Sequence, residues 1–235
     1  MVDDLASWPG ANRRRPPQSS STWVVRSALA GWLSAQAGDL DGVAPVRVLD
    51  VGCGVKPYYP YFASIASEYV GVDVVENPAA ELLGPVEALP VADASFDVVL
   101  CTQVLEHSDD PAQAVRELHR VTRPGGRVLA STHGVQVYHP SPVDYWRWTH
   151  AGLTRLFTEN AGWSEVSVEP GAGTASGLAM LLGTFVEIAL RRSVLARGPV
   201  WLLNTAGAAL DGRSAQLRNP VPGSLIPNFH VVARV

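Results

Sequence analysis

An α/β fold with a mostly parallel sheet, covered by helices on both faces, is what this sequence predicts, and three observations lead there. Between residues 46 and 169, short Val-rich runs alternate with stretches of helical periodicity. Runs such as Val46-Arg47-Val48-Leu49-Asp50-Val51 are mostly apolar on both parities, as strands buried on both faces require. The first run feeds a glycine-rich turn, Gly52-Cys53-Gly54, before the next helical stretch.

In chain order, residues from about Met1 to Thr22 are rich in Pro, Arg and Ser and read as a mobile leader, with Arg13-Arg14-Arg15 a solvated charge run. Trp23 to Gln36 carries Val25, Leu29, Trp32 and Leu33 at helical spacing and ends near Gly38. The strand at Val46–Val51 is followed by a helix around Tyr58–Ser67, a second strand at Tyr69–Val74 and a third at Phe96–Cys101. Asp110 fits a helix N-cap and Pro111 the first helical position, ahead of an apolar stripe at Ala114, Val115, Leu118 and Val121. Pro124-Gly125-Gly126 turns into a strand at Arg127–Ser131. Thr149 caps a helix bearing Leu153, Leu156 and Phe157, and Trp163–Glu169 and Phe229–Val235 read as the last strands. The main unit thus runs over 23–235, with an apolar insertion at about 170–227, far longer than an ordinary loop. Leu178–Leu190 and Val200–Leu210 in it are helix-compatible. A helical cap or dimerisation element, a membrane-surface element flanked by Arg191 and Arg192, and a membrane span are the three readings open for it.

With 235 residues, 47% of them hydrophobic, the chain can bury a substantial core. Eighteen basic residues against 22 acidic ones leave a net charge of −4, and Lys56 is the only lysine, so no broad basic field for a nucleic-acid partner exists. Cys53 and Cys101 form no disulfide framework, and no Cys/His spacing suggests a metal. The N-terminus lacks the pattern of a signal peptide, so the expected location is cytoplasmic, peripheral to the inner membrane face if the insertion touches lipid.

A strand, a glycine turn and a helix N-terminus form a general nucleotide site. Two details narrow it. Pro57 stands where a dinucleotide fingerprint needs its third glycine, which argues against an oxidoreductase using NAD. Asp50, at the strand end, would repel a pyrophosphate and favour a cationic ligand. Asp73 ends the second strand, where a carboxylate can accept both ribose hydroxyls of an adenosine, or else cap the helix near Pro78.

Asp50-Val51-Gly52-Cys53-Gly54, Leu89-Pro90, Ser95-Phe96-Asp97, Leu105-Glu106-His107 and Arg123-Pro124-Gly125-Gly126 follow one another in order and spacing. Over roughly Val46 to Glu169 the chain resembles a class I S-adenosylmethionine-dependent methyltransferase, of the branch with the acidic-x-Gly-Cys-Gly and Leu-Glu-His motifs, similar to methyltransferases of envelope and polysaccharide pathways. The resemblance implies a Rossmann-like sheet whose last strand is antiparallel, and S-adenosyl-L-methionine as cofactor. It places Gly52, Cys53 and Gly54 under the methionyl and ribose parts, with Asp50 near the amino group. It also places Asp73 on the ribose, Val74 on the adenine, Val86 and Glu87 at the adenine edge, and Cys101 and Gln103 at the methionyl end. Lys56 stands where many relatives have a third glycine, and Pro85 where many have an aspartate.

A hydroxyl acceptor profits from a base, and histidine is the natural choice near neutrality. His133 is the first candidate, followed by His139 and His107; each has a plainer role as a pocket wall. The aromatic stretch His139–Thr149 suits a sugar-like or amphipathic acceptor. The expected activity is O-methylation of a glycan, lipid-linked or other small-molecule hydroxyl acceptor. The rivals are a non-catalytic S-adenosylmethionine-binding adaptor and the NAD-dependent oxidoreductase. Expected partners are that acceptor, no nucleic acid, and a membrane surface or a second copy at the insertion.

Overall fold

The structure, a computed structural model, describes residues 5, 7–40, 42, 45–140 and 142–235. Seven strands form one sheet in the order β3-β2-β1-β4-β5-β7-β6. They are β1 (Val46–Val51), β2 (Ala66–Asp73), β3 (Leu82–Leu83), β4 (Phe96–Thr102), β5 (Thr122–His133), β6 (Glu165–Pro170) and β7 (Asn228–Arg234). The pairings of β1 with β2 and β4, of β2 with β3, and of β4 with β5 are parallel, while β7 lies antiparallel between β5 and β6. The expected mostly parallel sheet with an antiparallel last strand is therefore present.

Both faces are covered. Val48, Val98, Leu100 and Leu129 pack toward α2 (Trp23–Gly38), whose Leu29 and Leu33 are buried. Leu49, Val99, Cys101 and Val128 face α4 (Pro111–Val121) and α5 (His150–Asn160). The helix ends obey their capping signals. Asp110 accepts the Gln113 amide at 2.9 Å and Thr149 the Gly152 amide at 3.0 Å. The connection after β1 is mostly turn: α3 spans only Tyr59–Phe62, and β2 starts three residues earlier than the sequence pattern suggests.

The segment read as a mobile leader is anchored from Trp8 onward; residues 1–4 and 6 lie outside the described ones. A short helix, α1 (Ala11–Arg14), follows Trp8, whose indole donates to the Lys56 carbonyl at 2.9 Å and lies 4.5 Å from the Tyr59 ring. Arg14 is no solvated charge, since its guanidinium holds the carbonyls of Trp8, Pro9 and Pro57. Further on, Asn204 donates to Gln18 and Ser20, and Glu187 accepts the amide and hydroxyl of Ser21. These partners are too remote in sequence for composition to reveal.

The insertion folds as two packed helices, α6 (Thr174–Ala189) and α7 (Arg197–Arg213), with a short α8 (Ala215–Arg218) before β7. Among the described residues no helix is long and apolar enough to cross a membrane, which removes the span. Asp211 of α7 caps α6 through the amides of Ala175 and Ser176, both at 3.0 Å. Gly207 lets the helices close: a Cβ there would lie 2.9 Å from the Ala175 carbonyl.

Leu118 is fully buried between α4 and the sheet, whereas the Asp110 cap is exposed. Leu118→Ala is expected to cost about 2–5 kcal/mol and Asp110→Ala about 1 kcal/mol in urea unfolding. A smaller loss for Leu118→Ala than for the cap would contradict this account of the core.

Candidate active site

At the carboxyl ends of β1, β2 and β4 the chain makes a left-handed turn. Gly52 and Gly54 have φ of 66° and 51°, and the amides of Gly52 and Cys53 both donate to the Val72 carbonyl. A Cβ at Gly52 would meet Val104 Cγ2 at 2.4 Å, so the position is closed to a side chain. Lys56, further along the turn, is itself left-handed at φ 49°. Its side chain runs under the turn, 8% exposed, and pairs with both oxygens of Glu81. Glu81 also accepts the Gly71 amide at 2.6 Å, and a Cβ on Gly71 would sit 2.5 Å from Lys56 Cε. Burial acts to raise the Glu81 pKa, but the Lys56 and Gly71 hydrogen bonds outweigh it and hold it below the ordinary value.

Asp73 stands at the edge of this turn. Its Oδ2 accepts the Gly54 amide at 2.9 Å and its Oδ1 the Val75 amide at 3.2 Å. With Gly54, Lys56, Asn77 and Trp8 it lines an open cleft of about 680 Å³. Val74, 67% exposed, offers an apolar face beside it. Gln103, after β4, takes a left-handed φ of 57° and its amide group donates to Ser131 Oγ at 3.0 Å. A non-glycine residue in that conformation needs support from its surroundings, and such positions gather at functional sites.

Four expected residues fall elsewhere. Asp50 is buried under the turn, where its Oδ2 accepts the Tyr69 hydroxyl at 2.7 Å. Burial raises its pKa to about 7 against the pull of Tyr69, so the carboxylate pictured beside an ammonium is instead an internal acid. Cys101 has no exposed surface, lies in the sheet core, and has its thiol pushed well up by burial. The Cys53 thiol also points inward, packed 2.7 Å from where a Gly71 Cβ would be, which leaves only its backbone at the turn. Glu87 turns its carboxylate to Ser108 and to the amides of Asp109 and Asp110, capping that loop; Val86 beside it is buried. The sequence reading missed Trp8, Asn77 and the Lys56–Glu81 pair. A signal for the pair existed: the chain's only lysine stands at a turn position that calls for glycine.

Beyond β4 and β5 the three candidate histidines do come together. The His139 ring lies 5.2 Å from His107 and 5.5 Å from His133. His133 is buried, with Nε2 3.2 Å from the Glu106 carboxylate and Nδ1 without a hydrogen-bond partner. Burial, reinforced by Arg147, pushes its pKa down to about 3. Glu106 is buried as well. It accepts Thr132 Oγ1 at 2.8 Å, and burial raises its pKa to about 7 despite that bond. His107 gives one ring nitrogen to the Val143 carbonyl, at 2.8 Å. His139 is the accessible one, its side chain 39% exposed and its Nε2 3.8 Å from Asp144 Oδ2.

Asp144 is gripped by Arg147, both oxygens at 2.5 Å, and this pairing takes its pKa down to about 2. The aromatic segment is stitched to the site through its backbone: Tyr145 and Trp146 donate to the Glu106 carbonyl, and Trp148 to that of His133. His133, His139 and Asp144 bring donor atoms within 4.8 Å of one another, a grouping that sequence spacing does not show. Because Arg147 already neutralises Asp144, we read the group as an ion-paired wall rather than a metal centre.

The overall fold is similar to that of solved proteins. A 1,6-didemethyltoxoflavin-N1-methyltransferase from Burkholderia thailandensis, solved with S-adenosylhomocysteine, aligns with a TM-score of 0.54 at 17% identity, over 91% of this chain and 80% of that one. The fold is that of the class I methyltransferases. The cyclase SpnF shares it as well, with a TM-score of 0.53 and 19% identity over 87% of this chain and 81% of that one. Residues 49–130 match the family model described as a methyltransferase domain. A protein of Mycolicibacterium smegmatis named as a probable S-adenosylmethionine-dependent methyltransferase is 34% identical over 166 residues, which are 63% of this chain and 64% of that protein. A ubiquinone biosynthesis O-methyltransferase of Pseudomonas aeruginosa is 34% identical over 116 residues, 43% of this chain and 48% of the relative. The chain thus matches just under two thirds of the first of these relatives and about half of the second.

The pKa of Glu106 is raised on folding, so the folded state holds this proton more tightly than the unfolded chain. The stability that it contributes is complete at low pH and is lost as pH rises through about 7. Glu106→Gln removes that loss. Melting curves of both proteins are therefore expected to shift in favour of the variant between about pH 4.5 and 7 and to hold a constant offset above. A pH-independent difference would mean that folding leaves the Glu106 pKa unshifted.

Proposed function

We propose that this protein transfers a methyl group from S-adenosylmethionine to a hydroxyl of a glycan, a lipid-linked acceptor or another small molecule. The observation that carries the reading is Asp73. Its carboxylate is fixed by Gly54 and Val75 and opens onto a cleft that the left-handed Gly54 and Lys56 also line.

The residues fit an adenosyl cofactor. Asp73 would take the ribose hydroxyls, the Gly52–Gly54 backbone the chain beyond the ribose, Val74 the flat face of the base, and Gln103 the methionyl end. Backbone groups around Val86 would meet the adenine edge, since Glu87 is committed to the Ser108 loop. When bound, S-adenosylmethionine supplies an already activated methyl electrophile. The protein's share of the work is alignment, exclusion of water and removal of one proton.

The base is His139 rather than His133. His133 is buried, and its low pKa makes it a weak proton acceptor at neutral pH. His139 is reachable, and its Nε2 faces Asp144, so Nδ1 takes the proton from the acceptor hydroxyl. Arg147 positions Asp144 for this purpose. The aromatic segment, with Tyr145 and Trp146 exposed beside Arg147, suits the face of a sugar ring.

Three outcomes test the reading. S-adenosylhomocysteine should raise the melting temperature and NAD should not. Asp73→Ala should weaken S-adenosylhomocysteine binding by about 1–3 kcal/mol in calorimetry. His139→Gln should lower kcat by about 10²-fold with cofactor affinity intact, against a small effect for His107→Gln. Cofactor binding without methyl transfer to any acceptor in fractionated glycans and lipids would favour the adaptor instead.

A further inference from the structure

The α6–α7 pair leaves a large apolar surface uncovered. Leu178, Leu182, Phe185 and Ile188 follow one another along one side of α6, and Phe185 is 69% exposed. The surface continues around the far end of the pair through Val194, Leu195 (71% exposed) and Trp201. Patches of this extent mark interaction sites.

Charge tells what covers it. Residues 174–213 contain four arginines and two carboxylates, whereas the whole chain is acidic. Asp211 is taken up in capping α6, and Glu187, half-buried beside Arg192 and Arg197, is engaged by the amide and hydroxyl of Ser21. Arg191, Arg192 and Arg197 are exposed at the apolar end, and among the described residues they enter no ion pair. A second copy on a two-fold axis through this face would bring two sets of arginines together with only the Ser21-bound Glu187 of each copy near them. Exposed Leu, Phe and Trp ringed by Arg are instead what an anionic bilayer surface takes up, the apolar groups entering the headgroup boundary and the guanidinium groups meeting lipid phosphates.

We propose that the α6–α7 pair docks this protein onto an anionic membrane surface. The orientation also serves the acceptor. A cleft of about 430 Å³ opens between the arginine end and the segment that leads to His139, lined by Arg192, Arg197, Gln136 and Val137. A lipid-linked acceptor held at the bilayer by its phosphate would enter along this cleft, whose wall includes Val137, two residues before His139. The inference deepens the proposed acceptor class, but its readout needs no methyl transfer.

The test is flotation of the full chain with vesicles of phosphatidylcholine alone and of phosphatidylcholine mixed with phosphatidylglycerol, alongside light scattering without lipid. Binding to the anionic vesicles, weakened by salt and at least about tenfold poorer on neutral ones, is expected. Arg191→Glu with Arg192→Glu should reduce binding by about tenfold or more, and Leu182→Ser with Phe185→Ser should abolish it. All of these positions are exposed, so circular dichroism and the thermal shift with S-adenosylhomocysteine should stay as in the parent. Failure of the folded protein to float with anionic vesicles would overturn the proposal. So would a dimer that Leu182→Ser with Phe185→Ser converts to monomer while vesicle binding is unaffected.

Discussion

Lys56 reaches beneath the turn after β1, lays its aliphatic chain over the bare backbone of Gly71 and ends on Glu81. The ligand end of the sheet depends on this contact. A left-handed residue with a side chain is strained, and a buried ammonium is costly unless paired. The pair answers both demands, because the bond to Glu81 holds Lys56 in a conformation that glycine adopts at little cost. Glu81 also accepts the Gly71 amide, which ties the turn to β2 and so to Asp73 at that strand's end. Losing Glu81 would leave the buried Lys56 ammonium unpaired beneath the cleft, a larger disturbance than losing a surface ion pair.

On the acceptor side two carboxylates lie in contrasting surroundings. For Glu106 burial outweighs its hydrogen bonds and the weaker pull of Arg147, and its pKa rises; Asp144 has a bidentate guanidinium, and its pKa falls. The contrast sorts the histidines next to them. His133 sits against an acid whose pKa burial has raised to about 7, is itself buried, and has its own pKa pushed down to about 3. His139 faces a carboxylate that its guanidinium partner keeps ionised. Pairs of like groups pushed apart by their environments are how acid–base roles become distinct.

The parts of the fold that follow from local rules were legible in the sequence. Val-rich strands, the Asp110-Pro111 and Thr149 helix starts and the glycine turn all need only neighbours a few residues away. Direction into or out of the cleft was not legible. Every residue of β4 but the last is buried, so no alternation separated core-facing Cys101 from its neighbours. Asp50 looks like a ligand group in one dimension and becomes an internal acid only because Tyr69, 19 residues on, lies over it. The leader misled for the same reason. Its Pro, Arg and Ser content is that of a free segment, yet Trp8 and Arg14 find carbonyls more than forty residues away. Composition describes what a segment can afford to leave in water, and says little about what a distant backbone offers it.

That same segment joins the two halves of the proposed function. At one end Trp8 lines the cleft beside Asp73; at the other, Ser21 is fastened to Glu187 on α6 and Ser20 to Asn204 on α7. The apolar helix pair is therefore not an appendage on a flexible stalk. Its direction relative to the cleft is set by hydrogen bonds to a strap that is itself pinned to the turn after β1 through Lys56 and Pro57. A surface that merely attached the protein to a bilayer would need no such bracing. One that must present the histidine wall to an acceptor at a set height above the lipid does, because misplacement of about an ångström at the reacting groups can cost two orders of magnitude in rate.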